Sequence, residues 1–233
     1  MAKRVRHGSA NGKLNSFPTP EGGSAEFHIN KTGSGSIGGQ VVRYGTTEES
    51  VITTAATEFQ MIGVVYNASW NVDVADGSEI AIVTEGEVDA LLEDGTGSTA
   101  GNWVKTSDTQ AGRVDATILA PSGGTIGELQ EHMREAGHCE QTVVGASAAA
   151  ITSITRVDTT ATVTTTSPHG LATGREVTIA GANEADYNGD FTITVTDASE
   201  FTYTVSGSPT TPATGTITYT TINTLCRIHI HPN

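Results

Sequence analysis

The sequence predicts an all-β protein, organised as a small barrel or sandwich with one short helix and a second, inserted β domain. Threonine and valine are abundant and long helix-forming residues are few, which favours strands. Charged residues make up only 16% of the 233 residues, so the composition is not that of a typical disordered chain. Short β-branched runs recur between glycine, asparagine and aspartate, a pattern typical of strands separated by turns.

Residues 61–88 contain the clearest pair of strands. Two β-branched runs, at 62–65 and 80–83, stand on either side of a turn signal at Asp76-Gly77, and this pattern predicts that the two runs pair. Many short strands separated by turns indicate a barrel or a sandwich. We therefore expect residues 37–147, together with 222–233, to form one β body, with further strands at 40–44, 51–54, 103–105 and 114–119.

One helix is predicted, at residues 125–137. Thr125 and Glu128 fit a capping box, in which each side chain satisfies a backbone N–H at the start of the helix. Gly137 stands where such a helix would end. We expect this helix to cover an open end of the sheet with one apolar face, formed by Ile126, Leu129, Met133 and Ala136.

The composition changes between residues 148 and 221, where threonine dominates and strands recur at short intervals. Alternating threonine, as in residues 192–196, predicts a half-buried sheet with one polar face. Residues 225–231 return to the earlier pattern and are expected to be the last strand of the β body, paired near residues 139–144. Residues 148–221 would then be a domain inserted at a hairpin tip, where an insertion disturbs little burial.

Charge and cysteine content exclude several classes of protein. A net charge of −14 would repel nucleic acid and anionic membranes, so neither is expected as a direct partner. No apolar run approaches the roughly 20 residues of a membrane span, and no apolar segment follows the basic N-terminal residues as a secretory signal requires. Cys139 and Cys226 are too few for a disulfide scaffold, which predicts reduced thiols and synthesis in a cytoplasm.

Residues 1–36 are predicted to form a flexible N-terminal arm. They are rich in glycine and their apolar residues are isolated, so they bury too little surface to offset the entropy of ordering. One interpretation is a frayed terminus. The other is an arm that orders on a partner, with Phe27 and Ile29 adding a strand to an exposed sheet edge. The residues expected to make that contact are Lys3, Arg4, Arg6, Phe17, Phe27 and Ile29.

Residues with catalytic or ligand chemistry form no convincing site. No nucleophile elbow and no phosphate loop is present, and we predict no enzymatic activity and no cofactor. A carbohydrate-binding module would need Trp103, Tyr187 or Tyr203 exposed in a shallow groove. Histidine and cysteine are common zinc ligands. If the last strand lay near the helix, six such residues could meet: His132, His138, Cys139, Cys226, His229 and His231. Because His-x-His on a strand edge is common without metal, no metal site is predicted.

Two parts of the sequence resemble proteins of bacteriophage particles. Residues 40–144 and 225–233 resemble small phage capsid decoration (cement) proteins, and the residues that carry this resemblance are Val41-Val42, Ile62-Gly63-Val64-Val65, Gly77, Ile80, Ile82, Val83, Gly86, Gly124 to Glu128 and Arg227 to Ile230. The inserted domain is similar to a small β domain of phage tail and fibre proteins, through Ser167-Pro168-His169-Gly170-Leu171, Gly174, Val177, Ile179, Gly181, Tyr187-Asn188-Gly189, Phe191 and Phe201. The second resemblance carries no chemistry, and His169 is expected to be a turn residue with a satisfied hydrogen bond.

The first resemblance implies a β-tulip-like body and a function. Decoration proteins form trimers at local three-fold positions of the shell, and their N-terminal arms order on the capsid. We therefore expect a structural virion protein, made in the host cytoplasm, that binds the outer surface of a phage head. Its expected partners are the major capsid protein and two further copies of itself. The alternatives are a tail or fibre component, or a receptor-binding module that uses the inserted domain to bind a host-surface glycan.

Overall fold

The computed structural model describes residues 16–46, 50–55, 61–66, 73–118 and 135–231, and these residues confirm the all-β prediction. They belong to two compact units. Of the described residues, the β body takes those within 1–92, 99–142 and 225–233, and the Thr-rich unit takes those within 93–98 and 143–224. The Thr-rich unit thus begins earlier than the predicted boundary at 148 and includes a loop, 93–98, that was expected in the body.

The β body contains ten of the described strands. They are β1 (Phe17–Pro18), β2 (Ser24–Asn30), β3 (Val41–Tyr44), β4 (Ser50–Thr53), β5 (Gly63–Tyr66), β6 (Glu79–Leu91), β7 (Trp103–Thr106), β8 (Val114–Ile118), β9 (Glu135–Cys139) and β17 (Leu225–Ile230). The predicted pairing of the two runs in residues 61–88 is confirmed, because β5 and β6 are antiparallel neighbours with Val65 opposite Ile82.

Five of these strands close into a barrel. β2 pairs with β6 along six residues in antiparallel fashion and with β4 in parallel, and β4, β3, β5 and β6 complete the circuit. Closure removes the free sheet edges that would otherwise invite unwanted pairing. The interior is filled by the β-branched residues that the sequence placed on alternate positions, namely Val42, Val51, Val65, Ile80 and Ile82.

The 13-residue strand β6 joins this barrel to a second curved sheet. Beyond residue 85, β6 pairs with β17, and the order continues through β9 and β7 to β8. A parallel bridge between Leu92 and Val114 brings β8 back to the end of β6, so this second sheet is nearly closed. Its interior side chains include the buried Val88, Val104 and Ile228.

The last strand follows the predicted alternation. Arg227 and His229 are partly exposed, whereas Cys226, Ile228 and Ile230 are buried. β17 also meets the chain at Cys139, which lies opposite Ile228. The partner strand, β9, ends at Cys139 instead of beginning there, and Glu140 N–H donates to the carbonyl oxygen of Arg227 at 2.8 Å. The predicted partner at 139–144 is therefore confirmed at its first two residues, and most of the strand that pairs with β17 precedes it.

The C-terminal end of the predicted helix at 125–137 is wrong. Residues 125–134 lie outside the described residues, but Ala136 and Gly137 belong to β9, in which Gly137 lies opposite Ile230. Among the described residues, the one helical element is a 3-10 turn at Ala185–Tyr187. No helix in the described ranges has the length and apolarity needed to span a membrane.

The Thr-rich unit is a seven-stranded β structure around its own aromatic core. Its strands are β10 (Ala149–Val157), β11 (Thr160–Thr165), β12 (Glu176–Ala182), β13 (Gly189–Thr192), β14 (Thr194–Asp197), β15 (Glu200–Thr204) and β16 (Gly215–Ile222). Strand β10 has two partners: its first two residues pair with β16 and the remainder pairs with β11. The largest buried side chains are Tyr187, Phe201, Tyr203 and Tyr219.

His169 has the structural role that the sequence predicted. Its Nδ1 accepts a hydrogen bond of 3.0 Å from the backbone N–H of Leu171, and its Nε2 lies 3.1 Å from the carbonyl oxygen of Asp197. The ring is buried and packs edge-on against Phe201. Both ring nitrogens are therefore used to fix the turn that follows β11.

Candidate adhesion surface

Three partly exposed aromatic side chains form a patch on the outside of the β body. The ring of Phe17 stacks on that of Phe27, with centroids 5.0 Å apart, and meets Tyr66 edge-on at 6.4 Å. Tyr66 and Phe27 both lie opposite Ala81 of β6, which explains how strands far apart in sequence bring them together. We call Phe17, Phe27 and Tyr66 the aromatic patch.

The patch corrects the predicted arm. Phe27 and Ile29 lie in β2, which is a barrel strand, and Phe17 lies in β1, which pairs with β2 at Ala25. These residues therefore belong to the folded body and not to a segment that extends from it, because the alternation of residues 24–30 suits a strand buried on one face. The other three predicted contact residues, Lys3, Arg4 and Arg6, lie outside the described residues.

An open groove of about 470 Å³ begins at the aromatic patch. Its lining includes Phe17 and Pro18 of β1, Glu85 of β6 and His229 of β17. The connecting turn, residues 19–23, is tight: Thr19 N–H donates to the carbonyl oxygen of Gly23 at 2.8 Å, and Gly23 N–H donates to Thr19 Oγ1 at 3.0 Å. The groove and Tyr66 were missed by sequence reasoning, although the Pro-Thr-Pro-Glu-Gly-Gly run at 18–23 is a turn signal.

The turn needs glycine where it crosses β6. A Cβ added to Gly23 would lie 2.6 Å from the carbonyl oxygen of Glu87 and 2.8 Å from Val83 Cγ1. The backbone of the turn is therefore packed directly on β6, and this contact fixes Phe17 relative to the barrel.

Acidic groups predominate next to the groove. Arg227 Nε donates to Asp89 Oδ1 at 2.6 Å and Nη2 donates to Asp89 Oδ2 at 3.1 Å, and Glu87 lies 3.7 Å from Nη1. The hydrogen bond with Asp89 raises the pKa of Arg227, so this guanidinium is charged at any physiological pH. Glu85 is exposed on the groove itself. Burial raises the pKa of Tyr66, and the neighbouring Glu21 carboxylate raises it further. This combination of apolar rings and carboxylates suits a partner surface that presents both apolar and basic side chains.

The cysteine and histidine residues of the last strands fall on opposite faces. The buried Cys139 and Cys226 thiols are hydrogen-bonded to each other, and this bond, together with burial, raises the pKa of Cys139. On the outer face, His138 Nδ1 lies 2.9 Å from His231 Nε2, and the His229 ring lies 5.3 Å from that of His231. The five described members of the zinc-ligand set named from the sequence therefore do not converge on one point, and His132 lies outside the described residues.

Among the described residues, no three His, Cys, Asp or Glu side chains are placed to hold a metal ion together. In the Thr-rich unit, Tyr187 and Tyr203 are buried, and the Tyr203 hydroxyl donates to the carbonyl oxygen of Tyr187 at 3.1 Å. Neither ring can therefore act as a stacking platform for a sugar. Trp103 is partly exposed and packs edge-on against His138.

Comparison with known proteins gives no family assignment. No family model matches the chain, and no curated protein matches it. Among solved structures, the chain is similar to the phage phi92 endosialidase, with 14% sequence identity and a TM-score of 0.30 over 88% of this chain. The matched part is 31% of the length of that protein. A similarity at this level does not establish a shared fold or activity.

Proposed function

We propose that this chain is a non-enzymatic structural protein of a bacteriophage particle, which decorates the outer surface of the capsid and stabilises the shell. The proposal is supported by the resemblance of residues 40–144 and 225–233 to decoration proteins and by the all-β architecture. The observation that carries it is the aromatic patch, which is rigid, partly exposed and positioned directly after the basic residues of the N-terminal segment.

In this proposal the aromatic patch and the groove are the contact with the major capsid protein. Completing the burial of one partly exposed ring such as Phe17 is worth about 1 kcal/mol, half or less of the value for a fully transferred phenylalanine side chain. Such a contact is weak by itself. In a symmetric homotrimer, three copies act together, and the second and third contacts form within one assembly.

The N-terminal segment would add a second, electrostatic contact with a different area of the shell, because its charge is opposite to that of the carboxylates beside the groove. Residues 1–15 contain Lys3, Arg4, Arg6 and Lys13 and no acidic residue, so they would be attracted to an acidic area of the shell. The Thr-rich unit would project into solvent, since threonine alternation along β11 and β15 gives its sheets a polar outer face.

The alternative is a tail or fibre protein that binds a receptor glycan through the Thr-rich unit. The burial of Tyr187 and Tyr203 disfavours a sugar site at these two residues. We therefore place adhesion on the β body and treat the inserted unit as a solvent-facing addition.

Co-sedimentation with undecorated phage heads tests the proposal. Full-length protein should bind saturably, and Phe17→Ser should weaken binding, because each subunit loses one apolar contact. A loss of about 1 kcal/mol in each of three linked contacts amounts to roughly a hundredfold in avidity. Tyr44→Ser is the matched control, since Tyr44 is a surface aromatic of the same body, 60% exposed on β3 and away from the patch.

Two results would contradict the proposal. Failure of the folded full-length protein to bind heads would favour the tail or receptor-binding alternative. Equal binding by the Phe17 and Tyr44 variants would show that the aromatic patch is not the contact. Deletion of residues 1–15 separates the electrostatic contribution, and it should weaken binding most at low ionic strength.

A further inference from the structure

Two histidine side chains on the outer face of the β body lie at chelating distance. His138 is in β9, and His231 follows the last residue of β17; their Nδ1 and Nε2 atoms are 2.9 Å apart. The His231 backbone N–H donates to the carbonyl oxygen of Ala136 at 3.3 Å, which holds the end of the chain beside β9. The pair is exposed to solvent.

This separation matches two ligands of one metal ion. With metal–nitrogen bonds of about 2.0–2.1 Å, two ligands at a right angle are about 2.9 Å apart, and two ligands at a tetrahedral angle are about 3.3 Å apart. The observed 2.9 Å is the length of a hydrogen bond between the rings, and a small ring rotation brings the two nitrogens to neighbouring positions of one ion. A tetragonal arrangement of imidazole nitrogen and water is typical of Ni²⁺ and Cu²⁺.

We propose that His138 and His231 form a two-histidine binding site for a late first-row divalent metal ion, Ni²⁺ or Cu²⁺ in preference to Zn²⁺. The described residues contribute these two nitrogens, and water completes the coordination. Without metal, one imidazole donates its N–H to the other. Metal binding needs a lone pair on both facing nitrogens, so the imidazole that carries the shared proton changes tautomer and holds its proton on the other ring nitrogen, with no net loss of a proton. A rotation, mainly of the exposed His231 ring, then directs both nitrogens towards a common point.

The surroundings favour a cation at this position. Trp103 packs edge-on against His138 with ring centroids 5.8 Å apart, which limits the movement of that ring. The chain carries a net charge of −14, so the surface field attracts a divalent ion. The bound ion would link β9 to the residues that follow β17. In the sequence, most of the Thr-rich unit lies between these two strands. A ligand that binds only the folded state stabilises it in proportion to its concentration.

Isothermal titration of the full-length protein with NiCl₂ tests this site. Wild type should bind one Ni²⁺ per chain through the pair, and His231→Gln and His138→Gln should each weaken that binding by at least about tenfold, the minimum seen when even an outer-shell partner of a ligand is lost. His229→Gln is the neighbouring control: His229 lies opposite His138 and its ring is 5.3 Å from that of His231, but it has no hydrogen bond to the pair among the described residues. This variant should bind within about threefold of wild type, the lower end of the coupling between neighbouring residues.

Thermal unfolding gives a second readout that does not depend on the heat of binding. NiCl₂ should raise the unfolding temperature of the β body in wild type and His229→Gln, but not in His231→Gln, which is altered at an exposed residue outside the strands. Absence of Ni²⁺ binding to wild type would overturn the proposal, as would unchanged binding in His231→Gln. An equal loss in His229→Gln would also overturn it, because the ligands would then not be the proposed pair.

Discussion

Gly137 of β9 offers the most direct test of how the β body is assembled. It has φ of +155° and lies opposite Ile230 of β17, and a Cβ at this position would lie 1.8 Å from the carbonyl oxygen of His229. Gly137→Ala should therefore separate β9 from β17. Sequence pattern alone assigned this glycine to the end of a helix, so the substitution also distinguishes the two local structures.

The magnitude follows from the geometry. Real Cβ atoms stay beyond 3.0 Å from such an oxygen, so the two strands must move apart by more than about 1 Å, which is too much for the hydrogen bonds next to residue 137. Loss of two ladder hydrogen bonds costs about 2 kcal/mol, and the positive φ costs an alanine about 1 kcal/mol more. We expect the free energy of unfolding of the β body to fall by about 3 kcal/mol.

Urea unfolding, followed by tryptophan fluorescence, measures this loss of stability in the β body. Trp103 belongs to β7 of the β body, so its fluorescence, recorded in a Trp70→Phe background, follows the unfolding of that body. Trp103 lies opposite His138, next to the altered residue. A single two-state fit to the whole chain would be inappropriate, because two compact units can unfold separately.

Gly101→Ala is the matched control. Gly101 has φ of +85° in the same body, and a Cβ there would meet nothing within 4 Å. The free energy of unfolding of the Gly101→Ala variant should fall only by the cost of the positive φ, about 1 kcal/mol. If the two variants unfolded at the same urea concentration, the close approach of β9 to β17 would be refuted, and with it the strand assignment of residues 135–139.

Three further outcomes follow from individual side chains. Burial raises the pKa of Tyr203 above its ordinary value of 10.0, so the unfolded state ionises first; the contribution of Tyr203 to the stability of the Thr-rich unit should be constant below pH 10.0 and should fall as the pH rises further, and Tyr203→Phe should reduce that fall in alkaline urea titrations. The thiols of Cys139 and Cys226 should react with a chromogenic disulfide reagent only as fast as the β body unfolds, because both are buried and the pKa of Cys139 is raised. Arg227→Gln should cost about 1 kcal/mol or less in urea, since the ion pair with Asp89 is partly solvated, and a larger loss would mean that the pair is better shielded than its exposure indicates.

The helix at 125–137 shows where local sequence stops being informative. Glycine at the end of an apolar run suits a helix terminus, because no Cβ opposes the left-handed conformation there. The same absence of a Cβ lets a neighbouring backbone approach closely in a sheet. Gly137 uses the second property, and the atom that requires it, the His229 carbonyl oxygen, comes from a residue 92 positions later in the chain. No window around residue 137 contains that information.

The N-terminal region shows the opposite case, in which the local pattern was correct and its partner was not. The alternation around Phe27 and Ile29 predicted a strand that adds to a sheet edge. The structure contains that strand as β2, but the edge belongs to the same chain, at β6 and β4. Periodicity reports which face of a strand is buried, whereas the choice between an internal and an external partner depends on barrel closure.

This difference changes how the adhesion surface should be understood. An arm that orders only on the capsid would lose conformational entropy for every residue that binds. Phe17 and Phe27 are already fixed, because the turn at Gly23 packs on β6 and the two rings stack on each other. Docking through the aromatic patch would then cost little ordering entropy, and the contribution of each ring would approach the roughly 1 kcal/mol that completing its burial is worth. If binding to heads depended on residues 1–15 and not on Phe17, the affinity would come from the N-terminal segment and not from the preformed rings.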